Sequence, residues 1–252
     1  MSQRLHPVRQ KRHHADQVAL AILEAVTTEL IMVRHGESTF NRERRWQGQS
    51  QDALLSDLGW RQAACVADAL KGSAARALFS SDLTRSMQTA VPLAAATGLP
   101  IVPDPRLREI DAGRWTNRLT DEVLLAEADR VAAWNQSPAT TSLPDGEGLA
   151  EAQKRILAFV GAQIPAYEGQ VVIVATHGAI LQTLMAAAEG LPLERLWLDT
   201  PVPNGGIVRM EWEPGPGWGK LRQVAPPSTD HLAPLGSEGL TLGSAGGPGP
   251  VA

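Results

Sequence analysis

Two apolar runs in the chain each end in a histidine followed by a glycine. Residues 30–33 lead into Arg34-His35-Gly36, and residues 171–175 lead into Thr176-His177-Gly178. Neither run alternates with polar residues, which is typical of strands that are covered on both faces of a parallel sheet. Ligands of open α/β sheets bind beyond the carboxyl ends of the strands, so two neighbouring strands of this kind place both histidines in one crevice.

The residues around these two strands predict helices and shorter strands. Residues 57–71 follow Ser56 as an N-cap, and residues 83–97 stop at Gly98; both segments carry apolar positions at helical spacing. Further helices are predicted at residues 120–134, 149–164 and 179–189, and further strands at residues 77–79, 206–212 and 221–224. We therefore expect an α/β fold with a mostly parallel central sheet.

The two ends of the chain differ from its centre. Residues 1–28 start with basic residues and continue into a short apolar stretch that Glu24 interrupts. We expect a partly helical N-terminal extension that packs either on the domain or on a second copy of the chain in a homodimer. Residues 29–225 form one domain, and the tail, residues 226–252, is rich in Pro, Gly and Ser and is expected to be disordered.

Composition restricts the classes of function. Of the 252 residues, 43% are hydrophobic and 20% charged, and the formal net charge is -4, which is ordinary for a soluble globular domain. Basic residues are scattered and aromatic residues few, so we expect no nucleic-acid partner. No apolar run is long enough to span a bilayer, so we expect no membrane partner and a cytoplasmic location. The single cysteine, Cys65, leaves no disulfide and no cysteine-rich metal site within this sequence.

Cationic groups gather at the expected crevice. Arg34, His35 and His177 lie at strand ends, and Arg85 lies in the first turn of the helix that follows Ser80-Ser81-Asp82. Such groups repel one another, and a phosphate group offsets their charge because guanidinium groups match its oxygens. A neutral imidazole can attack phosphorus without a metal and form a phosphohistidine. We therefore expect no metal and no cofactor.

Phosphoryl transfer also needs an acid that protonates the leaving oxygen. Glu109, in the sequence Leu107-Arg108-Glu109-Ile110-Asp111, is the candidate, because a carboxyl group beside an anionic substrate can retain its proton. Asp111 is close enough to be the acid instead, and the sequence leaves both open.

Four motifs, in this order, resemble those of the histidine phosphatase superfamily, also called the phosphoglycerate mutase-like family. They read IMVRHGESTFN at residues 31–41, SSDLTR at residues 80–85, LREI at residues 107–110 and ATHG at residues 175–178. The resemblance covers residues 30–212. It implies a three-layer α/β/α sandwich and a metal-independent phosphoric monoester hydrolase that acts on a small phosphorylated metabolite.

The resemblance also implies the roles of individual residues. His35 matches the phosphorylated nucleophile, and Glu109 matches the proton donor. Arg34, Arg85 and His177 complete the phosphate pocket. The residues that contact the phosphate or line its entrance are Ser38, Asn41, Gln47 and Gly178.

Within this family, the chain is most similar to the broad-specificity bacterial phosphatases, in residues 42–48 and 176–197. The alternative is an α-ribazole phosphatase, which residues 144–148 resemble, or another dedicated sugar or phosphoglycerate phosphatase. Mutases of the family carry a longer insertion with a tyrosine after the acid, whereas the only tyrosine here, Tyr167, lies far away. Mutase activity is therefore not expected. A non-catalytic phosphate-binding module is disfavoured because the catalytic set is intact.

The loops over the crevice set substrate choice and are expected at residues 45–52, 114–121 and 137–148. Asn204-Gly205-Gly206 lacks a serine that is common in the family, which predicts a different pocket wall. Three tryptophans either line an apolar pocket or belong to the core: Trp46, Trp115 and Trp134.

Overall fold

A six-stranded sheet forms the centre of the computed structural model, which describes residues 27–195 and 201–241. The strands are β1 (Thr28–Arg34), β2 (Ala75–Ser80), β3 (Ile101–Pro103), β4 (Val171–Thr176), β5 (Ile207–Glu213) and β6 (Lys220–Gln223). Their order in the sheet is β3-β2-β4-β1-β5-β6. The first four strands are parallel, whereas β5 and β6 are antiparallel to their neighbours. The predicted α/β fold with a mostly parallel sheet is confirmed.

Helices cover both faces of this sheet. They are α1 (Thr39–Arg42), α2 (Asp57–Leu70), α3 (Thr84–Thr97), α4 (Thr120–Ala126), α5 (Ala128–Gln136), α6 (Leu149–Gln163) and α7 (Gly178–Glu189). Short 3-10 segments lie at Pro105–Leu107, Gly113–Trp115, Ile164–Tyr167, Leu193–Arg195 and Asp230–Gly239. Within the described ranges, none of the helices has the length and hydropathy needed to cross a membrane.

Each strand of the sheet centre contributes to two cores, because successive side chains point to opposite faces. Ile31 and Val33 face a core that includes residues of α2 and α3. Leu30 and Met32 face a second core with residues of α6 and α7. The uniformly apolar sequence of residues 30–33 in β1 follows from this burial on both sides, and the result is the expected three-layer sandwich.

The register between β1 and β4 brings the two histidines together. Arg34 pairs with Thr176, so the two parallel strands end at the same level, and His35 and His177 follow side by side. β4 lies between β1 and β2 at the centre of the sheet. The expectation that these two strands are neighbours is therefore confirmed.

A third apolar cluster joins the loops on the strand-end side of the molecule with α4 and α5. Trp46, Trp115 and Trp134 are all buried in it. The rings of Trp46 and Trp115 have centroids 4.8 Å apart. The three tryptophans are thus core residues that support the loops around the crevice, and they do not line an open pocket.

The prediction of a disordered tail from residue 226 is wrong for residues 226–241. The backbone of Ser228 pairs with that of Ile207 at the start of β5, with N–O distances of 3.0 and 2.9 Å. The 3-10 segment Asp230–Gly239 then buries Leu232, which is 1% exposed. The composition of the tail does not reveal that these residues are ordered. One buried leucine and a few backbone hydrogen bonds are enough to dock a short segment on the domain. The rest of the tail and the predicted N-terminal helix lie outside the described residues.

Candidate active site

His35 lies directly after β1 and is almost completely buried. Its Nδ1 is 2.7 Å from the carbonyl oxygen of Gly36. A carbonyl oxygen can only accept, so Nδ1 carries the proton and Nε2 keeps its lone pair. Nε2 faces the guanidinium of Arg85, whose Nε is 3.3 Å away. Gly36 cannot carry a side chain here, because a Cβ would collide with the carbonyl of Gly59.

His177 lies beside His35, with a distance of 5.1 Å between the ring centroids. It is the N-cap of α7, and Gly178 is the first residue of that helix. The His177 Nε2 is 2.8 Å from the hydroxyl of Ser81. Ser81 Oγ accepts from the amide of Leu83, and we assign its proton to the bond with His177. In this tautomer the buried Nδ1 of His177 carries the ring proton, and it has no hydrogen-bond partner among the described residues.

Two buried arginines stand beside these rings. Arg85 donates to the carbonyl oxygens of Gly48, at 2.9 Å, and Ser50, at 3.2 Å. Arg34 donates to the carbonyl oxygen of Val202 at 2.6 Å. Burial lowers the pKa of each guanidinium to about 10, against the opposing effect of the negative charge of Glu109. Both arginines therefore remain cationic at neutral pH, held by carbonyl groups that carry no full charge.

Both histidines are neutral at pH 7. Burial lowers the pKa of His35 well below its usual value, and the charges of Arg85 and Arg34 add to the effect. Burial and Arg85 likewise lower the pKa of His177, followed by smaller effects of His35, Arg155 and Arg34. The neutral imidazole is the form that can act as a nucleophile.

Of the two candidate acids, Glu109 is the one beside the cationic groups. Its carboxylate accepts from the amides of Ile110, at 3.0 Å, and Ala179, at 3.3 Å, and its charge acts on both buried arginines. The carboxylate of Asp111 instead accepts from the amide of Gly113 at 2.9 Å. Asp111 therefore closes the turn that follows the acid, and the geometry favours Glu109.

The remaining predicted site residues form one buried group on the opening turn of α1. Ser38 is the N-cap of this helix, and its hydroxyl accepts from the amide of Asn41 at 3.0 Å. The same hydroxyl donates to Gln47 Oε1 at 2.7 Å. Asn41 Oδ1 accepts from the amide of Ser38, and its Nδ2 is buried without a hydrogen-bond partner in the described part of the chain. Ser38 thus orients both amide side chains.

Comparison with known proteins decides the family. Residues 30–223 match the histidine phosphatase superfamily (branch 1). The chain belongs to this superfamily. The probable phosphoglycerate mutase GpmB of Yersinia pestis (strain Pestoides F) is 32% identical over 216 residues, which cover 81% of this chain and 98% of that protein.

Solved structures of related proteins agree with the fold. Bacillus stearothermophilus YhfR is 30% identical, with a TM-score of 0.75 over 81% of this chain and 98% of its own. The mycobacterial glucosyl-3-phosphoglycerate phosphatase Rv2419c is 28% identical, with a TM-score of 0.72 over 81% of this chain and 100% of its own. The relatives of this histidine phosphatase superfamily member therefore carry both mutase and phosphatase names.

Two residues that bind the His35 loop of this superfamily member were not among the predicted site residues, although Asn204 was expected to belong to a different pocket wall. Asn204 Nδ2 donates to the carbonyl oxygen of His35 at 3.2 Å, and it is 3.3 Å from Asn41 Oδ1. Thr89 accepts from the amide of Gly36 at 3.1 Å through its hydroxyl oxygen. Thr89 lies one turn after Arg85 on α3. Residues four positions apart lie on the same face of a helix, so this spacing could have predicted that Thr89 faces the site. Asn204 carries no such local signal, because its contacts are distant in sequence.

Arg155, on α6, was also not predicted. Its guanidinium donates to the carbonyl oxygens of Arg106 at 2.8 Å, Arg108 at 2.6 Å and Glu109 at 3.3 Å. Glu147 holds the same guanidinium through two bonds of 2.9 and 2.7 Å. One side chain thus fixes the backbone that carries the candidate acid.

The lowered histidine pKa values make the stability of this fold depend on pH. In the unfolded chain a histidine binds its proton near pH 6.5, whereas folded His35 and His177 bind theirs only well below that pH. Their contribution to stability is complete above pH 6.5 and is lost as the pH falls. The loss is at most about 1.4 kcal/mol per pH unit for each histidine. We expect the free energy of unfolding in urea to decrease between pH 6.5 and about 5.

The His177→Asn variant is the matched control for this pH dependence, because it removes one of the two buried imidazoles. Its free energy of unfolding should depend less steeply on pH. His231, whose pKa burial also lowers, remains in both proteins. Asp104, whose pKa is lowered through its bonds to Arg106, loses its contribution only near and below pH 3.8. An unfolding free energy that stays constant across the range would contradict the buried neutral histidines.

Proposed function

We propose that this protein hydrolyses small phosphoric monoesters through a phosphohistidine intermediate on His35. One observation carries the proposal: the unprotonated Nε2 of a buried neutral imidazole lies 3.3 Å from the guanidinium Nε of Arg85. The cation holds a phosphoryl group at the atom that attacks it. His177 and Arg34 add further donors around the same position.

Two unsatisfied donors support a phosphate as the ligand. His177 Nδ1 and Asn41 Nδ2 are buried, and neither has a hydrogen-bond partner in the described ranges. A buried donor without a partner costs roughly 1–3 kcal/mol. The oxygens of a phosphate group would accept from both donors and would also offset the charges of Arg34 and Arg85.

The reaction proceeds in two steps. In the first, the phosphoric monoester binds as its monoanion and gives its proton to the Glu109 carboxylate; His35 Nε2 attacks phosphorus, the bond from phosphorus to the ester oxygen breaks, and Glu109 passes the proton to that oxygen. The bond from Nδ1 to the Gly36 carbonyl stabilises the positive charge that develops on the ring. In the second step, Glu109 takes a proton from water, the water oxygen attacks phosphorus, and the N–P bond breaks to release inorganic phosphate.

The segment after the acid supports hydrolysis over mutase activity. A mutase needs cationic side chains that hold the carboxylate of phosphoglycerate while the phosphate returns to it. The two arginines here, Arg114 and Arg118, instead pair with Glu127 at 3.2 and 2.8 Å. Trp115, between them, is buried in the loop core. This segment therefore contains no arginine that is available to bind the carboxylate of phosphoglycerate.

Incubation with 3-phosphoglycerate tests the proposal, with p-nitrophenyl phosphate as an activated control substrate. We expect inorganic phosphate to be released from both, because water is the acceptor in the second step. If 2-phosphoglycerate accumulates instead, without equivalent phosphate release, the protein is a mutase, which is the activity named for its Yersinia relative. A screen of sugar phosphates, phosphoglycerates, nucleotides and α-ribazole phosphate then identifies the preferred ester.

A further inference from the structure

The chain continues beyond the part that matches the superfamily, which ends at residue 223. We define residues 228–241 as the C-terminal strap. It starts at the pairing of Ser228 with Ile207, passes through the 3-10 segment Asp230–Gly239 and ends at Thr241. None of its residues belongs to the proposed catalytic set, yet it contacts groups that hold the nucleophile.

The strap binds one side of the turn at residues 203–206. His231 Nε2 donates to the carbonyl oxygen of Gly205 at 2.8 Å, and the amide of Asn204 donates to the carbonyl oxygen of Thr241 at 3.0 Å. The buried side chain of Leu232 fills the space next to Gly205. Its two Cδ atoms are 3.5 and 3.6 Å from the position that a Cβ on Gly205 would take. The Thr241 hydroxyl also donates to Asn204 Oδ1 at 3.4 Å, so three hydrogen bonds and one apolar contact hold the turn.

The other side of the same turn binds the nucleophile loop. The amide of Gly205 and the side-chain Nδ2 of Asn204 both donate to the carbonyl oxygen of His35, at 3.1 and 3.2 Å. The carbonyl oxygen of Gly206 accepts from the amide of Arg34 at 3.0 Å. Asn204 and Gly205 therefore bind the strap and the backbone of His35 at once.

A second connection runs through Gln62 on α2, whose side chain is buried. Its Nε2 donates to the carbonyl oxygen of Gly239, in the strap, at 2.9 Å. Its Oε1 accepts from the amide of Glu37, two residues after His35, at 2.7 Å. The strap thus reaches both flanks of the nucleophile through two separate sets of hydrogen bonds.

We propose that the C-terminal strap positions His35 for in-line attack, acting through Asn204, Gly205 and Gln62; this inference rests on the proposed role of His35 as nucleophile. Its residues are positioning residues and touch no reacting atom. Phosphoryl transfer depends on alignment, and a displacement of about 1 Å lowers the rate by roughly 100-fold. Release of the strap leaves the Arg85 guanidinium in place, because the carbonyl oxygens of Gly48 and Ser50 hold it. The rate of phosphorylation should therefore fall while substrate affinity is kept.

Leu232→Gln in the full chain tests this role, with Leu240→Gln as the matched control on the same strap. Leu232 is 1% exposed and Leu240 is 55% exposed, so only the first change weakens docking. With p-nitrophenyl phosphate we expect the single-turnover rate of phosphorylation to fall about 10-fold or more in Leu232→Gln. The substrate concentration that gives half of this rate, and the inhibition constant of inorganic phosphate, should stay within about 2-fold. Leu240→Gln should match the wild type.

A second variant keeps the test valid if Leu232→Gln does not fold. His231→Phe keeps an aromatic ring but removes the bond to Gly205, and its single-turnover rate of phosphorylation should fall. A wild-type single-turnover rate in a folded Leu232→Gln protein whose strap amides exchange rapidly with deuterium would overturn the proposal. So would a loss of substrate affinity in single turnover that accounts for the whole change. If His35→Ala remains fully active, His35 is not the nucleophile and the proposed function fails. This outcome differs from one in which His35 is essential but the strap variants keep the wild-type rate.

Discussion

The His35→Ala protein should lose hydrolysis of p-nitrophenyl phosphate by more than about 1,000-fold. The variant lacks the atom that bonds to phosphorus, and no other imidazole in the described part of the chain presents a free nitrogen to Arg85. Rapid quench with labelled substrate measures the same loss directly, because the wild type should accumulate an acid-labile, alkali-stable phosphoenzyme. The variant should accumulate none.

The matched control for the nucleophile is His177→Asn, which removes the second ring of the pair. His177 is bound to Ser81 through Nε2 and is proposed only to donate to the phosphate. This protein should therefore turn over slowly but still form the labelled intermediate. Label on the His35→Ala protein, or activity equal to the wild type, would show that His35 is not the phosphorylated residue.

Glu109→Gln should separate substrates by their leaving groups. Glutamine keeps the size of the side chain, and its single oxygen can still accept from the amide of Ile110 or from that of Ala179, which bind different oxygens of Glu109. It cannot give a proton to the leaving group. With an alkyl phosphate such as glycerol phosphate, the phosphorylation rate should fall by about 100-fold to 10,000-fold. With p-nitrophenyl phosphate, whose leaving group needs no proton, the burst of p-nitrophenol should keep nearly its normal rate.

The control for Glu109 is Asp111→Asn, the same loss of charge two residues along the chain. The Asp111 carboxylate binds the amide of Gly113 rather than the cationic groups, so this variant should lower the burst rates of the two substrates little and equally. If Glu109→Gln slows both substrates by the same factor, Glu109 orients the phosphate pocket and another group is the acid.

These two experiments bear on different parts of the site. His35 follows a buried strand, and Asn204 and Gly205 bind its carbonyl oxygen, whereas Glu109 lies on a loop that Arg155 fastens through three carbonyl groups. The position of the proposed nucleophile therefore depends on the sheet and on the turn at residues 203–206, and that of the proposed acid depends on a side chain from α6. Substitutions near His35 and substitutions near Glu109 should therefore change the free energy of activation for phosphorylation by independent amounts. The exception is a pair of substitutions that both act on Arg34 and Arg85.

Local pattern was enough to identify the elements that carry the chemistry. The apolar runs before His35 and His177 predicted two buried strands, and these are adjacent and parallel with Arg34 opposite Thr176. The part of a strand that is buried on both faces contains no polar residues. An uninterrupted apolar run therefore indicates a strand at the centre of the sheet. The tail was misjudged for the opposite reason. A docked segment that buries one leucine, Leu232, has nearly the composition of a disordered one.

The sequence by itself determined the α/β fold, the pairing of the two histidines and the family, because strand burial and the motifs are local properties of the chain. Only the tertiary structure distinguishes Glu109 from Asp111 and favours Glu109 as the proposed acid, since both lie in one loop and their carboxylates accept from different amides. It also placed the three tryptophans in the core and brought Asn204 to the carbonyl of His35 across 169 positions. Contacts of that range depend on how the layers pack together, and no spacing of residues along the chain encodes them.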